Sequence, residues 1–178
     1  MACGLLLAFV CAAACSAAAL GAPSGSERAA RRAVSYYGGE IRQLSKETWY
    51  WQRLMGVPLS TAPARRLQAS SVARLQQLDT RWQKLLRTAH RKAQHPPHLS
   101  AWLCIHHYEG SWTDSGGPYY GGLQMDLSFQ SSYGGWLLTR KGTANHWTPL
   151  EQMWTAEKAL RSRGFYPWPN TARFCGLI

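Results

Sequence analysis

Two runs of apolar side chains at helical spacing, separated by a stretch that no regular helix crosses, constrain the first half of the chain most strongly. Ile41, Leu44, Thr48, Trp51 and Met55 recur every three or four residues, and so do Leu75, Leu78, Trp82, Leu85 and Ala89; this period aligns side chains along one face of an α-helix. Between the runs, Gly56-Val57-Pro58 through Pro63 combines a helix-ending glycine with prolines that have no N–H to donate. Residues 27–97 are therefore expected to form a helical hairpin with a buried apolar seam. Gln94-His95-Pro96-Pro97 ends its second helix and marks a linker.

The hairpin also holds the charge. Of a formal +11 over 178 residues, residues 27–97 supply fourteen Lys and Arg against four Asp and Glu, whereas residues 98–178 supply six against five and residues 1–26 none. Such a segment attracts polyanions by long-range Coulomb forces. Anionic cell-wall polymers, anionic lipid and nucleic acid all satisfy that requirement, and a solvated cationic face over a buried seam uses the same residues. A chain of this length admits one core domain with an accessory segment. Its 46% hydrophobic content, with 9 Trp and 8 Tyr, excludes wholesale disorder.

Gly4 to Leu20 is an uncharged Ala/Leu/Val/Cys run leading to Pro23-Ser24-Gly25-Ser26, which reads as an export signal over residues 1–22. A secreted protein, extracellular or wall-associated, follows, and nucleic acid loses its obvious place as partner. No Lys or Arg precedes the run, which leaves an uncleaved anchor as an alternative, and Ala13-Ala14-Cys15 is a lipidation-type variant. Removal of the segment leaves Cys104 and Cys175 as the only cysteines. In an oxidising compartment they most simply form a disulfide, worth about 3–4 kcal/mol. His90, His95, His98, His106, His107 and His146 show no metal-ligand spacing, so no metal or other cofactor is expected.

The chemistry is expected in residues 98–178. With Ser100 as N-cap, a helix runs to Glu109, and Trp102, Ile105 and Glu109 share its inward stripe. A carboxyl pressed against Tyr108 and Trp112 would lose water from its charged form, favouring the protonated form that a general acid needs. The same residues also suit a Glu fraying into solvent before Gly110. Gly116-Gly117-Pro118-Tyr119-Tyr120-Gly121-Gly122-Leu123-Gln124 then makes a glycine-rich aromatic loop ending on an amide. Aromatic faces stack on sugar rings, and an amide both donates to and accepts from sugar hydroxyls. Asp126 is expected to cap a short helix from Leu127 to Tyr133, stopped by Gly134-Gly135. Thr148, Pro149 and Glu151 form a capping box for a last helix that ends at Gly164. On it Leu150, Met153, Trp154, Glu157 and Leu160 share a face, with Glu157 as a buried structural carboxylate that holds a helix end or loop.

Taken in order, the aromatic helix bearing Glu109, then Trp112, Tyr119 to Gln124, Gly134-Gly135, Glu151-Gln152, Ala156-Glu157, Gly164-Phe165 and Trp168-Pro169 before a terminal cysteine resemble the transglycosylase-like domain of the resuscitation-promoting factors. These are small lysozyme-fold enzymes that act on bacterial peptidoglycan. The resemblance spans residues 102–175 and does not reach the hairpin. It implies a mainly α (α+β lysozyme-like) catalytic domain at 98–178, which the basic hairpin read from periodicity at 27–97 precedes. It implies a monomeric, secreted peptidoglycan-cleaving glycosidase, lytic transglycosylase or muramidase, that cuts the MurNAc-β-1,4-GlcNAc bond with Glu109 as acid. Trp112, Tyr119, Tyr120, Gln124 and Trp168 would hold the glycan strand, with residues 27–97 available for anionic wall polymers. The alternative is a non-catalytic cell-wall glycan-binding module. In the family a cysteine directly precedes the catalytic Glu; here Tyr108 does, Cys104 lies one helical turn earlier, and Cys175 follows Pro169 by six residues. The two shifts compensate and support a Cys104–Cys175 bridge. Phe129 stands where the family has Thr, and Arg163 where it has Gln. Asp114 and Asp126 are the candidates for a second carboxylate, each equally suited to a turn or cap.

Overall fold

The computed structural model describes residues 22, 24–61 and 71–178. The expected export signal (Ala22 apart) and the turn around Pro63 lie outside them.

The chain is mainly α-helical. Helix α1 (Gly25–Met55) starts two residues before the expected hairpin boundary because Ser24 and Glu27 form a capping box: the Ser24 hydroxyl accepts from the Glu27 N–H, and the Glu27 carboxylate accepts from the Ser24 N–H. It ends at Gly56, where the expected break lies. Helix α2 (Val72–Ala93) is capped by Ser71 and ends at Gln94. The seam is as the periodicity predicts. Ile41, Leu75 and Trp82 are buried, with Leu44, Leu78 and Leu85 packed against them, and Trp49 meets the Trp82 ring edge to face at 5.7 Å.

The expected antiparallel hairpin is corrected: Tyr37 lies against Gln76, Trp49 against Trp82 and Trp51 against His90, so α1 and α2 run parallel, and the C-terminal ends of both enter a second, larger core. Leu54, Met55, Ala89 and Ala93 pack in one cluster with Trp102, Ile105, Leu137, Trp147, Trp154 and Trp168. These come from helices α3 (Leu99–Glu109), α4 (Leu127–Lys141) and α5 (Pro149–Arg163), from the 3₁₀ turn Ala144–His146 with its following residue Trp147, and from the start of α6 (Pro169–Phe174). A two-stranded antiparallel sheet, β1 (Tyr119–Tyr120) with β2 (Met125–Asp126), pairs Tyr119 with Asp126 and Tyr120 with Met125. The Trp154 indole N–H donates to the Ala93 carbonyl at 2.8 Å, tying α5 to the end of α2.

Three further expectations are corrected. Ser100 is not the N-cap of α3; the helix begins at Leu99, and His98 occupies the cap position with no side-chain cap of its own. Glu157, 4% exposed, replaces it: its carboxylate accepts from the His98 backbone N–H at 2.8 Å and from the Trp102 indole N–H at 2.8 Å. A buried negative charge thus faces the positive end of the helix dipole. The structural role expected of Glu157 is met, from 59 residues away in sequence. Second, α4 does not stop at Gly134-Gly135 but kinks at Gly134 (φ −129°, ψ 20°) and runs on to Lys141. A Cβ at Gly134 would come within 2.6–2.9 Å of the Trp147 ring, so the glycine here admits a neighbour rather than ending a helix. Third, α5 has no solvent face along most of its length. Residues 151–157 are all buried, including Gln152 and Thr155 opposite the expected stripe.

The α5 capping box forms as expected, with Thr148 accepting from the Glu151 N–H. Glu151 does more, because its fully buried carboxylate also accepts from the Tyr50 hydroxyl at 2.5 Å and from the Lys141 ammonium at 2.7 and 2.8 Å. Burial by itself pushes this carboxyl up, but Lys141, Tyr50 and the Thr148 N–H together hold it below the usual carboxylate range. Burial and the Glu151 charge push the Tyr50 phenol up in turn. A carboxyl whose value is lower folded than unfolded stabilises fully above the unfolded value, about 4.3. That contribution is lost as pH falls through the lower folded value. Glu151→Gln should therefore melt lower than wild type at pH 7, and the gap should narrow from about pH 4.5 downward. Melting temperature against pH for both proteins measures this; a gap that stays constant to pH 2 contradicts it.

Candidate functional site

A cleft of about 200 Å³ opens at the C-terminal end of α3. It is lined by Glu109, Tyr119, Gln124 and the segment 167–170 with Trp168. Four of the six residues expected at the site thus share one concave surface, although they come from a helix end, a strand, a loop and the start of α6. The cleft is built by fold rather than by sequence proximity.

Glu109 is the last residue of α3 and is half-buried. Its Oε1 accepts from the Thr171 hydroxyl at 2.7 Å, and Thr171, 8% exposed, is carried by α6. Sequence reasoning did not find Thr171. Its one local signal is that it lies in the first turn of a helix announced by Pro169 after Trp168. The Cys104–Cys175 disulfide joins the same two helices across a sequence separation of 71. It borders this contact, with Cys104 one turn before the end of α3 and Cys175 at the C-cap of α6.

The aromatic walls expected beside the carboxylate are elsewhere. Tyr108 is 54% exposed and tilts against Phe174. Trp112 stacks on the His106 ring at 3.9 Å and covers Gly122, where a Cβ would meet the indole at 2.8–2.9 Å. Neither lines the cleft, and neither does Tyr120, which packs on the main core. The reason is register: Tyr108 directly precedes Glu109, and neighbouring helical residues point about 100° apart. Trp112 is placed by the turn after the helix, where Gln152 donates to its carbonyl at 2.8 Å. Trp168 is 3% exposed, its indole N–H donating to the Leu123 carbonyl at 2.6 Å. It therefore presents only a margin to the cleft. Tyr119, 50% exposed, is the aromatic surface open to a ligand.

Gln124 has φ 47°, a left-handed conformation uncommon for a residue with a side chain. Its amide nitrogen donates to Asp114 Oδ2 at 2.8 Å and to the Gly121 carbonyl at 3.0 Å. Both amide hydrogens are thereby engaged within the loop, which leaves Oε1 as an acceptor toward a ligand hydroxyl or N–H. Asp114 also accepts from the Gly116 N–H at 2.9 Å, and these two bonds hold its carboxyl below the usual range, charged at neutral pH. Asp126 caps α4, accepting from the Phe129 N–H at 2.7 Å. Of the two candidate second carboxylates, one is a helix cap and the other fixes the loop amide. Glu109 is the carboxylate lining the cleft among the described residues. Among those residues, no three His, Cys, Asp or Glu side chains converge as a metal ion would require.

Searched against protein-family models, characterised proteins and solved structures, the chain gives no match.

Proposed function

We propose that the chain is a secreted peptidoglycan-cleaving glycosidase in which residues 98–178 form a small lysozyme-like catalytic part and Glu109 is its acid. The observation that carries this reading is the placement of Glu109 in a cleft beside Tyr119, Gln124 and Trp168, a carboxyl among groups suited to a sugar. The Cys104–Cys175 bond is in keeping with an oxidising, extracellular setting. Thr171 holds Oε1, so Oε2 is the oxygen left to carry the proton. It would pass that proton to the bridging oxygen of the MurNAc-β-1,4-GlcNAc link as positive charge develops at the ring. The bond to the leaving sugar then breaks. The remaining sugar is closed either by water, giving a free reducing end, or by its own C6 hydroxyl, giving a 1,6-anhydro end; in both cases the nucleophile's proton returns to Glu109. Tyr119 offers a ring face and Gln124 Oε1 an acceptor to position the strand.

The test is turbidity loss of purified cell walls on adding the oxidised chain, followed by mass spectrometry of the released muropeptides. Hydrated and anhydro ends differ in mass by one water. Release of neither product overturns the reading. A second reading, a non-catalytic glycan-binding module, is favoured by the engagement of Asp114, the carboxylate nearest the cleft, in fixing the Gln124 amide, which leaves Glu109 as the one carboxylate lining the cleft among the described residues. Co-sedimentation with walls in the absence of lysis would select it.

Thr171→Val removes the donor to Glu109 while preserving shape. A hydrogen bond to a carboxylate is worth about 1.5–3 kcal/mol, so wall lysis should fall by roughly tenfold or more at temperatures where the variant is folded, with melting lowered by several degrees. The pH profile should shift as well, because a merely structural threonine would not move it. An unchanged rate and profile would remove Thr171 from the site.

A further inference from the structure

Away from the Glu109 cleft, a cavity of about 580 Å³ lies where the C-terminal ends of α1 and α2 meet α5. This falls within the range of small-molecule sites. Its floor is apolar: Met55 and Trp154, 5% and 6% exposed, with Val57 and Pro97 beside them. Its rim is cationic, formed by Arg91 and Lys92 from the last turn of α2, Arg161 from α5, and His95. No carboxylate lines it, and among the described residues the Lys141–Glu151 ion pair and the His98–Glu157 contact lie elsewhere.

Part of this charge answers the helices themselves. Arg161 donates to the Met55 carbonyl at 3.3 Å, and basic residues in a last turn complement the helix dipole. Each C-terminus, however, presents only about −0.5 charge. Two helix ends thus balance about one of the three permanent cations on the rim. The excess is also felt at Lys158, which neighbours Gly56 beside Arg161. Burial first, then Arg161 and Arg53, push this ammonium down to about 8. A pocket that is greasy below and positively charged without counter-charge above is complementary to one kind of molecule.

We propose that this cavity binds a single amphiphilic anion. An alkyl or acyl chain would lie on Trp154, Met55, Val57 and Pro97, and a carboxylate or phosphate headgroup would sit among Arg91, Lys92 and Arg161. The chain would remove apolar floor from water. The headgroup would supply the counter-charge that the rim lacks, with arginine as a bidentate partner. Neither half of the ligand suffices by itself, which sets this site apart from both a general polyanion surface and a plain apolar groove.

The test uses the oxidised full chain and titrates dodecyl phosphate and dodecanoate below their micelle-forming concentrations, followed by tryptophan emission and calorimetry. Inorganic phosphate, uncharged dodecyl maltoside and anionic phosphatidylglycerol vesicles are the comparison arms. Expected is saturable one-to-one binding of at least one of the two anionic amphiphiles. Inorganic phosphate and the maltoside should bind at least about tenfold more weakly, and Arg91→Gln with Lys92→Gln should lower anionic binding by about tenfold or more. Arg91 and Lys92 are exposed, so that variant folds; Val57→Asp, at a 42% exposed position, tests the floor separately and should weaken binding similarly. Equal binding of the maltoside, equal binding of inorganic phosphate, undiminished binding by the Arg91/Lys92 variant, or binding to vesicles alone would each overturn the proposal.

Discussion

Glu109→Gln is expected to abolish wall lysis, lowering the initial rate of turbidity loss by about 10³-fold, within the range a positioned general acid supplies. The substitution is close to isosteric. Its side-chain oxygen still accepts from Thr171, so the contact between α3 and α6 survives and melting should move by no more than about 2 °C. The amide lacks an acidic proton, and this is the one property the variant removes. Co-sedimentation with walls should persist. Lysis by the variant at the wild-type rate would mean that the proton comes from another group, whereas binding by both proteins with lysis by neither would identify a glycan-binding module.

The second large effect concerns stability. Replacing both cysteines, Cys104→Ser with Cys175→Ser, frees the unfolded chain from a closed loop spanning 71 residues. The chain-entropy relation gives about 4 kcal/mol for a loop of that size. For a chain of this length that corresponds to a fall in melting temperature of roughly 10 °C, measured by calorimetry or circular dichroism. Lysis should fall too, and more than stability alone explains at temperatures where the variant is folded, because the bridge borders the Glu109–Thr171 contact. The same two outcomes should follow from reducing the wild type with a thiol. A melting change under about 2 °C would show that the reduced chain already keeps its ends together.

How far the sequence could be read depended on whether a residue's partner is near it in the chain. Thr148 and Glu151 close their capping box three residues apart, and the seam of Ile41, Leu75 and Trp82 follows from periodicity; both were legible. So was the pairing of Cys104 with Cys175, the two cysteines of the chain that lie outside the expected export signal. Ser100 looked like a cap because local signals are all that a sequence offers, whereas the charge facing the start of α3 comes from Glu157 on another helix. The glycine pair at 134 and 135 looked like a stop because nothing nearby announces the Trp147 ring that Gly134 admits. In the cleft, Glu109, Tyr119, Gln124 and Trp168 were nameable from residue type. Thr171 was not, since a threonine becomes a partner for Glu109 only once α6 folds back on α3.

The burial of α5 on nearly every side decides what can be detached from this molecule. Helix α1 reaches it through Tyr50 at Glu151 and Arg161 at Met55, and the end of α2 through Ala93 at Trp154. The helix is a common axle rather than the rim of one half. Shortening the chain to residues 98–178 would strip that axle on one side and leave Glu151 without its phenol and Trp154 without its carbonyl. The half that carries the Glu109 cleft is consequently not a portable cassette, and its borders should be sought beyond α1 and α2, not at the prolines that follow them.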